Sequence, residues 1–129
     1  MKTILDACCG TRQIWYDKHN PHALYMDKYP RKFEDGMGRT CECVPDVVGD
    51  FRDMPFADDS FNLVIWDPPH IDHAGPNHWI RNKYGCAEKE TWETDLKAGF
   101  DECMRVLRPG GQIVLAARLL PFRGEGELT

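Results

Sequence analysis

Four short, largely apolar stretches of this sequence each run into an aspartate: Thr3-Ile4-Leu5 into Asp6, Ala23-Leu24-Tyr25-Met26 into Asp27, Pro45 to Gly49 into Asp50, and Phe61 to Trp66 into Asp67. Runs of this length, stopped by an acid or a turn former, read as strands buried on both faces. Such strands belong to parallel sheets covered on either side, so the expected class is α/β with a mostly parallel sheet and flanking helices. In sheets of this kind ligands bind outside the carboxyl ends of the strands, where these four carboxylates would fall.

The remaining segments fit between these strands. Gln13 to Lys18 is expected as a short helix ended by His19-Asn20-Pro21, and the polar stretch Lys28 to Glu42, with Gly36-Met37-Gly38, as mostly loop. The strand Phe61 to Asp67 is stopped by Pro68-Pro69, because proline cannot donate to a sheet ladder. Ile71 to Glu88 holds His73, His78, Trp79 and Tyr84 without regular spacing, as a loop over a site does. From Trp92 to Leu107, the residues Trp92, Leu96, Phe100, Cys103, Met104 and Leu107 recur at helical steps. Pro109-Gly110-Gly111 ends that helix, and Gln112 to Ala117 follows as strand five.

A chain of 129 residues builds one core, so residues 1–129 are expected as a single domain. Its apolar runs are too short to cross a bilayer, and Met1 to Asp6 lacks the pattern of a secretory signal, which points to a cytoplasmic protein without membrane contact. The net charge of -5 argues against a broad electropositive footprint for nucleic acid, since such binding neutralises several phosphates. Cys8-Cys9, Cys41-x-Cys43, Cys86 and Cys103 are expected as reduced thiols; their spacing is not that of a zinc ribbon, and no metal site is expected. His70, Asp72, His73 and His78 are metal-ligand types within a loop whose convergence the sequence does not demonstrate.

In Asp6-Ala7-Cys8-Cys9-Gly10 the small side chains let backbone N–H groups approach a ligand closely. The sequence has neither a Gly-x-x-x-x-Gly-Lys-Ser/Thr loop nor a full Gly-x-Gly-x-x-Gly, so a ligand without phosphates fits this turn better. Asp27 falls where a carboxylate can accept hydrogen bonds from both hydroxyls of a ribose. Asp50 with Phe51 pairs an acceptor for an exocyclic amine with an apolar face for a ring.

Together these features resemble the class I S-adenosylmethionine (SAM)-dependent methyltransferase family. The resemblance rests on Asp6 to Gly10, on the segment from Val48 through Asp50-Phe51-Arg52-Asp53-Met54-Pro55-Phe56 to Leu63, and on Arg105-Val106-Leu107-Arg108-Pro109-Gly110-Gly111. It implies a Rossmann-like fold with SAM as cofactor. Asp6, Ala7, Cys8 and Gly10 would lie near its methionine part, Asp27 at the ribose, Asp50 and Phe51 at the adenine, and Asp67 beside the methyl group. Cys8-Cys9 departs from the family's glycine-rich spacing.

Asp67-Pro68-Pro69-His70 resembles the Asp/Asn-Pro-Pro-aromatic motif of amino-methyltransferases, including those acting on adenine N6 or cytosine N4 in DNA. An aryl amine delocalises its lone pair into its ring and is a poor nucleophile. Asp67 and the Pro68 carbonyl, accepting its two N–H bonds, would localise that lone pair for attack, and His70 would stack on the base. Two function classes follow: transfer of a methyl group to an amino nitrogen, with nucleobases of DNA or RNA among the acceptors, or a noncatalytic SAM- or nucleoside-binding module working with a partner. The family continues past strand five with a further helix and two strands, where this sequence has Arg118 to Thr129. An open edge on strand five is therefore expected, and with it a homodimer through that edge or the tail.

Overall fold

A computed structural model describes residues 1–68 and 91–115. Pro69, His70, the loop through residue 88, and the end of strand five at Ala116 and Ala117 lie outside the described residues. Five strands form a parallel sheet: β1 (Ile4–Asp6), β2 (Ala23–Asp27), β5 (Val47–Val48), β6 (Phe61–Trp66) and β7 (Leu107–Leu115). Their spatial order is β5-β2-β1-β6-β7, and every neighbouring pair runs parallel. The fold is thus α/β and Rossmann-like, with chain direction across the sheet reversing between β1 and β6. Among the described residues no helix is long and apolar enough to cross a membrane.

Alternation along the central strands gives the sheet two different faces. Leu5, Met26, Val64 and Trp66 belong to the larger core with Cys103 and Val106 of helix α1 (Trp92–Val106). Ile4, Ala23 and Tyr25 instead meet Cys9, Trp15 and Cys43. Helix α1 lies close to the sheet because residue 99 is glycine: a Cβ there would come within 2.5 Å of Trp66 Cζ2 and 2.6 Å of Phe51 Cδ1. The helical stripe is narrower than expected. Phe100 and Met104 are 43% and 49% exposed, and Gly99 and Val106 occupy the buried positions beside Cys103. The periodicity counted large apolar side chains, whereas the contact line selects a small residue at its closest point.

Three local expectations are corrected. Pro109-Gly110-Gly111 does not separate helix from strand: β7 begins at Leu107 directly after α1, and residues 108–111 bulge between the pairs Phe61↔Leu107 and Leu63↔Gln112. Residues 13–18 form turns rather than a helix, with Arg12 at a φ of 60° and Lys18 Nζ donating to the carbonyls of Arg12 and Trp15. The stretch expected as loop is an antiparallel hairpin, β3 (Arg31–Glu34) with β4 (Thr40–Cys43), paired from Arg31↔Cys43 to Glu34↔Thr40. Its turn is organised by Asp35, whose Oδ1 accepts from the N–H groups of Met37 and Arg39 and whose Oδ2 accepts from Arg39 Nε. The connection runs over residues 35–39 with Gly38 at a φ of 79°, a longer glycine-containing hairpin loop.

Helix α1 is fastened to the strand-connecting segment before β6 by Arg105. Its Nη1 donates to Phe56 O at 2.8 Å, its Nη2 donates to Met54 O at 3.1 Å, and Glu102 accepts from both Arg105 and Met54 N. Arg108 donates to Asp59 O and Asn62 Oδ1. The segments 54–62 and 105–108 are therefore one hydrogen-bonded unit that sets the register of β6 against β7. Replacing Arg105 with Ala leaves the carbonyls of Met54 and Phe56 without these donors and should cost about 2 kcal/mol. Lys97→Ala, which breaks only the exposed pair with Asp101, should cost under about 0.5 kcal/mol. Urea unfolding of both variants checks the contrast, and equal losses would refute it.

Candidate functional site at the carboxyl edge of the sheet

The strand order lines up the carboxyl ends of β5, β2, β1 and β6, and with them Asp50, Asp27, Asp6 and Asp67 in that order. Asp6 and Asp27 are the last residues of β1 and β2, Asp67 directly follows β6, and Asp50 stands two residues beyond β5. The chain leaves β1 under tight control: Ala7 N donates to Ile65 O, Cys9 N donates to Met26 O, and Gly10 then takes a φ of 52°. That left-handed turn is where glycine is favoured. It aims Gly10 N at Asp27 Oδ2, 2.8 Å away.

Asp6 is almost wholly buried; its Oδ2 accepts from Trp15 Nε1 at 2.7 Å and its Oδ1 from Cys8 N at 3.3 Å. Burial pushes its carboxyl up to about 6 against the relief of those two bonds, and the nearby charges of Asp67 and Asp27 push in the same direction. Asp6 thus feels the charges at the ends of the neighbouring strands across the sheet edge. Cys8, half-buried in the same turn, has its thiol raised by burial and by the same acids.

Asp27 is buried, and besides Gly10 N it accepts from Tyr29 N and Arg31 Nη1, each at 3.0 Å. Asp50 is more open. Arg52 donates to it through its backbone N–H, Nε and Nη2, the last at 2.6 Å, and Lys28 Nζ stands 3.5 Å away. These hydrogen bonds from Arg52 hold the Asp50 carboxyl down at about 2. Arg52 also reaches Asp95 in the first turn of α1 at 3.2 Å, which links the adenine-side acid of the sequence reading to the helix. Phe51 is half-buried, its ring edge-to-face with Trp66 at 5.5 Å. Ala7 is buried and Pro68 half-buried; Pro69 and His70 are outside the described residues.

The residues that sequence reasoning passed over are the partners of these acids: Trp15, Arg31, Arg52 and Lys28. Arg52 follows Asp50 by two positions and Arg31 follows Asp27 by four, close enough to suspect pairing. Trp15 sits in a stretch expected as helix, and nothing in its position pointed to Asp6.

The raised Asp6 carboxyl makes a signed pH prediction. Below its unfolded value of 3.8 both states are protonated; between 3.8 and about 6 the folded chain keeps a proton that the unfolded chain releases. Its contribution to stability therefore falls as pH rises through that window, by about 3 kcal/mol, and stays level above it. Asp6→Asn removes the fall, so the stability of the variant relative to the parent should improve from about pH 4 to pH 7. Urea unfolding across that range reads the difference; a pH-independent offset would show that Asp6 titrates as an ordinary carboxylate.

No family model matches the chain, and no curated protein matches it. Among solved structures it is similar to the crystal structure of PH0226 protein from Pyrococcus horikoshii OT3, with 19% sequence identity and a TM-score of 0.51. The match covers 88% of this chain and 45% of that one, so the chain spans less than half the length of that protein. At this identity the likeness is one of fold.

Proposed function

We propose that this chain binds S-adenosylmethionine along the carboxyl edge of its sheet and directs the methyl group to an amino nitrogen of an acceptor, nucleobases of DNA or RNA being the acceptor class that Asp67-Pro68-Pro69-His70 favours. The observation that carries this reading is the spatial sequence Asp50, Asp27, Asp6, Asp67, which spans the point between β1 and β6 where chain direction reverses. Ligands of open α/β sheets lie across that point, and a nucleoside with an amino-acid arm is long enough to need several strand ends.

The donor set fits such a cofactor. Ala7, Cys8 and Gly10 offer small side chains at the turn, Asp27 offers a carboxylate to ribose hydroxyls, and Asp50 with half-buried Phe51 offers an acceptor beside an apolar wall. A ribose at Asp27 competes with Arg31 for Oδ1, so these two residues jointly set cofactor affinity. SAM, when bound, supplies an electrophilic methyl group on a sulfonium. Asp67 and the Pro68 carbonyl accept the two N–H bonds of the acceptor, direct its lone pair and stabilise the positive charge that develops on nitrogen. Asp6 is held away from that task by Trp15 and Cys8 and instead supports the turn.

Asp67→Ala should abolish methyl transfer while leaving SAM affinity within a few-fold, since the contacts proposed for it are to the N–H bonds of the acceptor rather than to the cofactor. Calorimetry with SAM and transfer of labelled methyl to DNA, RNA and small amines check this. Parallel loss of both properties would remove Asp67 from the chemistry, and SAM binding without transfer to any acceptor would favour the noncatalytic module. The reading also carries a homodimer through the outer edge of β7, the last strand of the sheet among the described residues. Light scattering at micromolar concentration should report twice the chain mass, and a monomer would overturn that pairing.

A further inference from the structure

Three segments distant in sequence bring metal-ligand atoms to one point beneath the Gly10 turn. Cys9 comes from the turn itself, Asp27 from the end of β2 and Cys43 from the end of β4, and their sulfur and oxygen atoms all lie within 4.8 Å of one another. All three are at least nine-tenths buried, at 6%, 5% and 1% exposure. The Cys9 thiol also donates to Gly10 O at 3.5 Å. We propose that Cys9, Asp27 and Cys43 bind a thiophilic divalent cation, Zn²⁺ being the fitting ion, which fastens the β3–β4 hairpin to the turn after β1.

Two thiolates and a carboxylate are a donor set that zinc takes, and hard cations such as Mg²⁺ and Ca²⁺ do not. Charge closes as well. The three ligands carry three negative charges when ionised, and a divalent cation together with Arg31, 3.0 Å from Asp27 Oδ1, carries three positive ones. A buried site with no net charge avoids the cost of an unpaired ion. Loading forms two metal–sulfur bonds and one metal–oxygen bond and releases the thiol protons to solvent, with no change of oxidation state. A fourth ligand comes from water or from a donor beyond this trio.

The site is also braced from outside the trio. Arg12 donates to Val44 O at 2.7 Å and to Lys18 O at 2.6 Å while its guanidinium lies 3.7 Å over the Tyr25 ring, so the Cys9 and Cys43 segments are tied whether or not an ion is present. Packing alone would account for two small thiols beside Ala23 and Tyr25. The Asp27 carboxylate at the same point already accepts from Gly10 N, Tyr29 N and Arg31, and the ion would share it with these donors.

Cobalt substitution tests the proposal on the full chain, reduced and stripped of metal, under anaerobic conditions and without SAM. Titration with Co²⁺ should produce a thiolate-to-cobalt charge-transfer band saturating at one ion per chain, and Zn²⁺ should bleach it. Cys9→Ser and Cys43→Ser should each weaken Co²⁺ binding by about tenfold or more and reduce the band, while Cys41→Ser leaves both as in the parent. If a serine unfolds the hairpin, the parent result still decides: no band at saturating Co²⁺ overturns the proposal. So does a band that persists in both ligand variants, or a Cys9–Cys43 disulfide whose reduction leaves a chain that takes up no metal. Because SAM is absent from every arm, failure here leaves the methyl-transfer reading standing, and failure of that reading leaves the metal result unaffected.

Discussion

The buried carboxylate of Asp27 is the constraint around which the carboxyl edge of this sheet is organised. A carboxylate removed from water must find donors, and Asp27 finds them in three directions: Gly10 N from the turn after β1, Tyr29 N from its own continuation, and Arg31 from the start of the hairpin. Each donor belongs to a segment whose path would otherwise be free. Satisfying one acid thus sets the conformation at Gly10, the exit from β2 and the approach of the β3–β4 hairpin.

From that edge the two faces of the sheet take different parts. The face carrying Leu5, Met26, Val64 and Trp66 is closed by α1, and the close contact at Gly99 brings Phe51 and Trp66 together behind the strand ends. The opposite face is thinner, closed by the turn around Trp15 and by Cys43 of the hairpin. Asp6 reaches toward this thinner side through Trp15 Nε1, and Cys9 and Cys43 meet there. Helix and hairpin therefore support the same carboxyl edge from opposite sides.

The motifs behind the family resemblance divide in the same way. The segment Met54 to Leu63 and the stretch Arg105 to Gly111 resemble a methyltransferase, and their contacts in this chain are architectural: Arg105 and Arg108 lock the helix and β7 to the entry of β6. The candidate chemistry lies instead in Asp6 to Gly10, Asp27, Asp50 and Asp67. The structural comparison speaks to the α/β fold alone, and resemblance in the second set is what the functional proposal rests on.

The sequence by itself determined the sheet. Apolar runs ending at Asp6, Asp27, Asp50 and Asp67 located four parallel strands, because a strand buried on both faces must be apolar almost throughout and must stop where a polar group appears. It also carried signals left unread, such as Gly38 in the hairpin connection. Only the tertiary structure decided the partners of the acids. That Trp15 caps Asp6, that Arg31 and Arg52 hold Asp27 and Asp50, and that Cys9, Asp27 and Cys43 meet at one point are consequences of long-range packing. Periodicity and spacing report which face of its own element a residue occupies. They do not report which distant segment will cover that face, because that is chosen by the joint burial of all of them.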